Sequence, residues 1–594
     1  MREEKLFTDL AEVFEPKSLI SPIGTKNVWR SVPYRARYVH GNMLSSLGNG
    51  RPGDISFDPG LTGWYKIYLA LPETTNVELH IKLTRDAAFS ELCPMDQGSF
   101  VTGTFEETLW RCCDMTDQKI ILSKRFMNHV KLRHSMLGWI RCVPMEDAEV
   151  EAYLADRACK EHKRLYATDD IHNRLYEAVV EKDSDWDVVV QPYADSDVEW
   201  LSLEDVECFC SGKVPTEDPE DFGFIREGDA AVYRQMEHFD SVRVLSHLVG
   251  KGHEIGLKMS VSLRMGAWTM GFPFDQIYFE NNFYWENQHL CCIGRCGHQI
   301  TSLSYAFPEV QQYMIDRLVT LASTGCDALT LISHRGGPYL MYEKPVADRF
   351  YEMYGEYPYE LPLDEPRLSA LHCSIMTEFF QKLRNALDAA CPDRHVEVHL
   401  RALWSIYDTR YYAIDCEELA KKGLVDAIIS YPQRLRETHE EAYFENGRFK
   451  LEEYAKHLCR QSGRPFIRNY DNTYGWEPYP DSNGVLQGPK DLNECVAQWM
   501  ELEKQYGVKI YIELMPRVMA PEKLRQFAQD IYAAGAERIA LWDTYGRVTY
   551  SALWNLVRNL GHKDALPEGP FSQQHRTHEL AGCVLIHNHP VWGG

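Results

Sequence analysis

The sequence predicts an α/β fold, a (β/α)8 TIM barrel preceded by an N-terminal β-sandwich, and three observations carry the barrel. Val508–Thr544 reads as one βαβ unit: a strand that puts Lys509, Tyr511, Glu513 and Met515 on one face, closed by Pro516, then a helix with Leu524, Phe527 and Ile531 on one stripe. Gly535 ends the helix, and a second strand, Arg538–Trp542, runs into Asp543. Such a crossover requires a parallel sheet covered by helices. Secondly, from residue 186 onward strand and helix patterns alternate. The strands expected are Trp186–Tyr193, Leu257–Arg264, Ala328–Arg335, Val396–Trp404, Ala427–Pro432, Phe466–Tyr470, Lys509–Met515 and Arg538–Trp542. With the helical patterns between them and Tyr550–Leu560 after the last, the count is that of a closed barrel. Thirdly, helix-to-strand connections are short, as at Gly325–Asp327, while strand-to-helix connections are long, as at Gly266–Pro308. Long loops therefore collect at the carboxyl face, where such barrels place their chemistry.

The preceding 150 residues have a different texture. Short alternating strands such as Trp64–Leu71, Val77–Leu83 and Leu137–Val143 are separated by turn residues, which predicts a β-sandwich over 1–150. Residues 151–185 read as a helical connector, 186–565 as the barrel, and 566–594 as a tail that packs back. At 594 residues, two or more domains are expected.

Composition narrows the function. The chain is 44% hydrophobic and 25% charged, so it folds. A formal net charge of -24 argues against nucleic acid or an anionic membrane as partner. No apolar window is long enough for a membrane span or a signal peptide, and the 17 cysteines are scattered through apolar runs, so the expected location is cytoplasmic. A homo-oligomer is compatible with all of this. Aromatic residues, 12% of the chain, suit sugar-stacking surfaces.

Several barrel strands carry polar residues at alternate positions, the parity of a lumen: Lys258, Ser260, Ser262 and Arg264; Glu397, His399 and Arg401. Glu397 and Lys258 lie early in their strands and read as an internal ion pair. His334, Arg335, His399, Arg401, Asp471, Glu513 and Asp543, at or near strand ends, are candidates for chemistry. Arg264, Arg335, Arg401 and Arg468 converging on one mouth would bind an acidic sugar or neutralise Glu343, Asp471, Glu513 and Asp543. Trp268, Trp285, Trp404, Trp476 and Trp542, at or beyond strand ends, could stack on sugar faces. Cys291-Cys292-x-x-x-Cys296-x-His298 has metal-binding residue types without a zinc spacing, so no metal ligands are assigned. No glycine-rich phosphate motif or nucleophile elbow stands in the right context, and no cofactor is expected.

The segments Leu257–Met265, Leu303–Leu318, Cys326–Val346, Cys416–Ile429 and Glu513–Asp543 resemble the glycoside hydrolase family 10-like proteins, sugar-acting barrels usually fused to β modules. The resemblance implies hydrolysis of a glycosidic bond in a small saccharide or glycoside by two carboxyl groups, which in the wider clan are glutamates ending the fourth and seventh strands. Glu513 matches the seventh-strand position. HVEVHLRALW, read as the fourth strand, has no carboxylate at its end, so the partner is sought in Asp543, in Glu343 from the third loop, or in Asp471. Two other readings stand beside this one: a metal-dependent sugar isomerase or lyase with His334, His399, Glu513 and Asp543 as ligands, and a carbohydrate-binding barrel without catalysis.

Overall fold

The structure, a computed structural model, describes residues 3–36, 38–72, 77–94, 104–124, 134–171, 175, 180, 182–205, 240–266, 268, 282–295, 297, 299–334, 338–361, 365–431, 444–445, 448–449, 479–480, 486–487, 491–514, 521–542, 544, 549, 553–566 and 575–583.

Two sheets fill the N-terminal part. The larger runs in the order Lys5–Phe7, Ile140–Pro144, Trp64–Pro72, Thr104–Asp114, His575–Cys583, Trp29–Ala36, His40–Ser46 and Ser135–Leu137, with Ile20–Ser21 beside Trp29–Ala36. The smaller is Ile55–Phe57, Ile120–Ser123, Leu79–Leu83 and Ser90–Leu92. Alternate residues of both sheets meet in one core, with Ile67, Leu69 and Ile140 from the first against Ile55, Ile81 and Ile120 from the second. The strand His575–Cys583 comes from the far end of the chain. It pairs antiparallel with Thr104–Asp114 (His575 opposite Thr108) and with Trp29–Ala36 (Leu580 opposite Ala36).

Eight parallel strands close the barrel: β1 Leu165–Asp169, β2 Val198–Glu204, β3 Lys258–Arg264, β4 Ala328–Ile332, β5 Glu397–Ala402, β6 Ala427–Ser430, β7 Lys509–Glu513 and β8 Ile539–Trp542. Closure is direct, with Leu165 of β1 in register with Ile539 of β8. Helices Ser241–Glu254, Pro308–Ala322, Pro366–Ala390, Leu492–Tyr506 and Pro521–Ala533 belong to the outer layer. Asp240 and Asp491 cap two of them by accepting from the backbone N–H three residues on, and Gly507, at φ 76°, ends the second.

The strand count is as expected, but its members differ. Trp186–Tyr193, expected as the first strand, forms the 3-10 helices Asp183–Val189 and Gln191–Asp195. Its apolar residues are buried, yet a short apolar run does not distinguish a strand from a buried turn of helix, and Pro192 favours the latter. β1 lies in the stretch read as a helical connector, whose helix stops at Ala158. All five residues of β1 are buried, so it lacks the alternation of a half-exposed strand. β2 follows the expected first strand, where a long strand-to-helix connection was expected. Phe466–Tyr470, expected as the sixth strand, is outside the described residues, and β6 pairs directly with β7. The strands expected second to fifth are therefore β3 to β6, while the seventh and eighth keep their places.

Parity then sorts every strand. Ile510 and Ile512 of β7, Val398 and Leu400 of β5, and Leu165 and Ala167 of β1 face the helices in the main core. Fully burying each of the large ones contributes about 1.5–3 kcal/mol. The opposite parity fills the lumen. Tyr166, Trp200 and Tyr511 interleave with Ala328, Ala427 and Ala540, large against small, leaving a packed plug below the mouth.

Candidate active site at the carboxyl mouth

The lumen is layered. At the amino end Lys258 Nζ donates to Glu199 Oε1 at 2.9 Å, and the Tyr511 hydroxyl donates to Glu199 Oε2 at 3.0 Å. Glu199 thus takes the role expected of Glu397, because β2 stands beside β3. Above it, the Tyr166 hydroxyl lies 2.7 Å from Thr330 Oγ1 and 3.0 Å from His399 Nδ1, and His399 Nε2 lies 2.9 Å from Glu397 Oε2. Burial would raise the Glu397 carboxyl, but the hydrogen bond from His399 and its charge hold it below its ordinary value.

The next layer holds Arg401 and Glu513, both wholly buried. Arg401 Nη1 donates to Glu513 Oε2 at 2.5 Å, and Nη2 reaches Thr168 Oγ1 on β1 at 2.5 Å. The second carboxylate oxygen of Glu513 accepts from the Trp542 backbone N–H at 2.8 Å. One guanidinium therefore ties β5 to β1 and β7, and lies over the Trp542 ring at 4.7 Å. The ring of His334 stacks on Tyr431 with centroids 3.7 Å apart and meets the edge of Trp542 at 4.8 Å. Glu513, Arg401, His334 and Trp542, each expected at the site, come together here, and Tyr431 joins them.

A second charged group ends the first three strands. Arg264, at the end of β3, donates to Asp170 Oδ2 at 3.1 Å and pairs through Nε with Glu204, the buried last residue of β2. Glu204 and Asp170 were not among the expected site residues, since their strands were read as loop and connector. The signal was present: Trp200, Ser202 and Glu204 alternate as Ser260, Ser262 and Arg264 do. Arg264 and Arg401 are thus both engaged with internal carboxylates, which supports the neutralising role weighed for the arginines over capture of an acidic sugar.

Other expected residues lie apart from Glu513. His399 faces the lumen but one layer lower, held by Tyr166 and Glu397, so the metal set His334, His399, Glu513 and Asp543 is not assembled from its described members. Among the described residues, no group of three metal-ligating side chains forms at the mouth. Trp404 is buried in the core between barrel and helices, where its carbonyl accepts from the Trp499 indole at 2.8 Å. Glu343 sits at the start of the helix Lys344–Tyr354, its carboxylate accepting from Ser304 Oγ and from the backbone N–H of Met341 and Ile293. Burial pushes its carboxyl above the ordinary range despite those bonds. Cys291 and Cys292 are buried free thiols. Arg335, Asp471, Trp476 and Asp543 are outside the described residues.

No protein-family model and no curated protein sequence matches the chain. Several solved structures are weakly similar. The glycoside hydrolase domain of PgaB (BpsB) from Bordetella bronchiseptica is 12% identical over 64% of this chain and 96% of its own, with a TM-score of 0.39. Alpha-L-fucosidase isoenzyme 2 from Paenibacillus thiaminolyticus is 13% identical over 68% of this chain, which spans about half (49%) of that protein, with a TM-score of 0.38. The catalytic domain of beta-amylase from Paenibacillus polymyxa is 10% identical over 67% of this chain and 95% of its own, with a TM-score of 0.37. Likeness at this level does not separate one barrel chemistry from another, so function has to be argued from the mouth's own residues.

Proposed function

We propose that the chain is a glycoside hydrolase that works at the carboxyl mouth of its barrel, with Glu513 as the main catalytic carboxylate. The observation that carries this is Glu513 itself, a carboxylate at the end of β7 oriented by Arg401 and the Trp542 N–H beside the His334–Tyr431–Trp542 rings. Glycoside hydrolysis needs one carboxyl group to protonate the leaving oxygen and another to attack the anomeric carbon or activate water. An oriented, charge-paired carboxylate next to aromatic faces is suited to the second task, since sugar rings stack on such faces through their C–H surfaces.

Asp543, next in the chain after the residue whose N–H grips Glu513, is the partner of first choice. Glu204 is the second, taking precedence over Glu343, whose oxygens are spent on Ser304, Met341 and Ile293. With Arg264 and Arg401 committed to internal pairs, the substrate is a neutral saccharide or glycoside. The N-terminal sandwich acts as an accessory unit that braces the barrel: Asn555, in the barrel's last helical turn, donates to Thr108 Oγ1 at 3.0 Å and to the Leu109 carbonyl at 3.1 Å.

One observation favours a second reading, a sugar-binding barrel without catalysis. Both oxygens of Glu513 already have protein donors and the side chain is wholly buried, as in an internal ion pair. A panel of chromogenic glycosides and neutral oligosaccharides separates the two. Hydrolysis by the wild type that falls steeply in Glu513→Gln and Asp543→Asn supports the enzyme. Saccharide binding by calorimetry with no turnover across the panel supports the binding barrel.

A further inference from the structure

Away from the mouth, a side-chain cluster on the sandwich has no role in the reading above. Leu79–Leu83 and Ser90–Leu92 pair antiparallel with His80 directly opposite Glu91, and Glu78, two residues before His80, shares its face. Leu79, Ile81 and Leu83 point the other way into the sandwich core. The face bearing His80 is covered by the barrel unit: His80, Lys82 and Glu91 line one cavity with Lys182 and Asp185, at the start of the 3-10 helix before β2. Cover is nearly complete, leaving Glu78 2%, His80 1% and Glu91 5% exposed.

We propose that Glu78, His80 and Glu91 bind a divalent cation, Zn2+ or Mn2+, at the seam between sandwich and barrel. The ligand atoms of the three all lie within 4.8 Å of one another. His80 Nε2 stands 3.1 Å from Glu78 Oε1 and 3.6 Å from Glu91 Oε1, yet neither ring nitrogen has a hydrogen-bond partner. A separation of 3.6 Å is too long for a hydrogen bond. It does suit two donors on one metal: bonds of about 2.1 Å at tetrahedral angles hold ligand atoms about 3.4 Å apart. Two carboxylates buried side by side repel, and a buried imidazole whose ring nitrogens make no hydrogen bond loses solvation. A dication removes both costs at once, since it balances both charges and takes the imidazole lone pair. One imidazole with two carboxylates is a donor set for Zn2+ or Mn2+ rather than for a thiophilic ion. The cavity toward Asp185 leaves room for a further ligand, water or that carboxylate. The competing arrangement has no metal: His80 pairs directly with the two carboxylates, and Lys82 and Lys182 on the same cavity supply positive charge.

The full chain, stripped with EDTA and dialysed against micromolar MnCl2 or ZnCl2, is analysed for bound metal by mass spectrometry. Mn2+ is the main probe because the chain's free thiols ignore it. The site predicts about one equivalent in the wild type, lost in Glu91→Gln and in His80→Asn. It also predicts retention in His562→Gln, which alters the other described cluster of ligating residues, Asp156, His162 and His562. Metal should raise the thermal midpoint of the wild type and leave Glu91→Gln unmoved. Should both variants fail to fold, the Co2+ spectrum of the wild type decides: ligand-field bands without thiolate charge transfer, abolished by excess Mn2+, uphold the site. No bound metal, or an equivalent that persists in the folded variants, overturns it in favour of the direct pairing of His80 with the two carboxylates.

Discussion

Replacing Arg401 by methionine keeps most of the side-chain volume and removes the charge that three strands share. Glu513 would keep the Trp542 N–H at 2.8 Å and lose the guanidinium that pairs with its wholly buried carboxylate at 2.5 Å. Breaking a buried pair from one side costs about 3–5 kcal/mol, and the contact over the Trp542 ring adds up to about 2 kcal/mol. Glu513→Gln breaks the same pair from the other side and should cost a similar amount, about 3–5 kcal/mol, because the amide oxygen still accepts from Trp542 but its NH2 then faces the buried guanidinium, which keeps Thr168. With both changes no unpaired charge remains, so the double variant should be more stable than the sum of the singles predicts, by about 2 kcal/mol. Urea unfolding followed by tryptophan fluorescence reads this cycle, with the barrel transition fitted separately from the sandwich. Additivity within about 0.5 kcal/mol would show that Arg401 and Glu513 do not form the buried pair on which the site depends.

Three further outcomes follow from individual contacts. Tyr166→Phe removes the hydroxyl shared by Thr330 and His399, and should lower barrel stability by about 1–3 kcal/mol in the same assay, with little effect if the plug is held by packing alone. Gly561→Ala would set a methyl 2.0 Å from the His162 carbonyl oxygen and should destabilise by more than about 2 kcal/mol, whereas an unchanged midpoint would mean that this backbone approach is loose. His562, between Asp197 and Asp156, has its ring raised from 6.5 to about 9, chiefly by the hydrogen bond to Asp197. A raised folded value stabilises fully below pH 6.5 and is lost as pH climbs through 9. Wild-type stability should therefore fall more between pH 6 and 10 than that of His562→Gln, by on the order of 1 kcal/mol because the ring is partly exposed, and equal slopes would contradict the assignment.

What the sequence could reveal depended on how each strand meets its surroundings. β3, β5 and β7 alternate polar lumen residues with apolar outward ones, so their parity was readable, and with it the inward direction of Arg264, Arg401 and Glu513. β1 escaped because five buried residues, Leu165–Asp169, follow a charged helix with only a short turn between. β2 carries the same period as β3, but its last residue, Glu204, and Asp205 after it look like the start of a polar loop. With those strands the mouth gains Asp170 and Glu204. The stacking of Tyr431 on His334 joins residues nearly a hundred positions apart, and no local spacing encodes it. The cluster at Glu78, His80 and Glu91 was hidden for the same reason, since it needs the hairpin register and the covering barrel segment together.

The central claim is that the carboxylate of Glu513 does chemistry and does not merely balance Arg401. It is tested by kcat/KM of Glu513→Gln against wild type on whichever neutral glycoside the wild type cleaves, with circular dichroism confirming the fold. Loss of the charge at an attacking or water-activating group should lower kcat/KM by about three or more powers of ten, with added azide restoring part of the rate if Glu513 is the nucleophile. A folded Glu513→Gln variant that retains most of the wild-type rate would make Glu513 an internal ion-pair residue and move the catalytic centre elsewhere in the mouth.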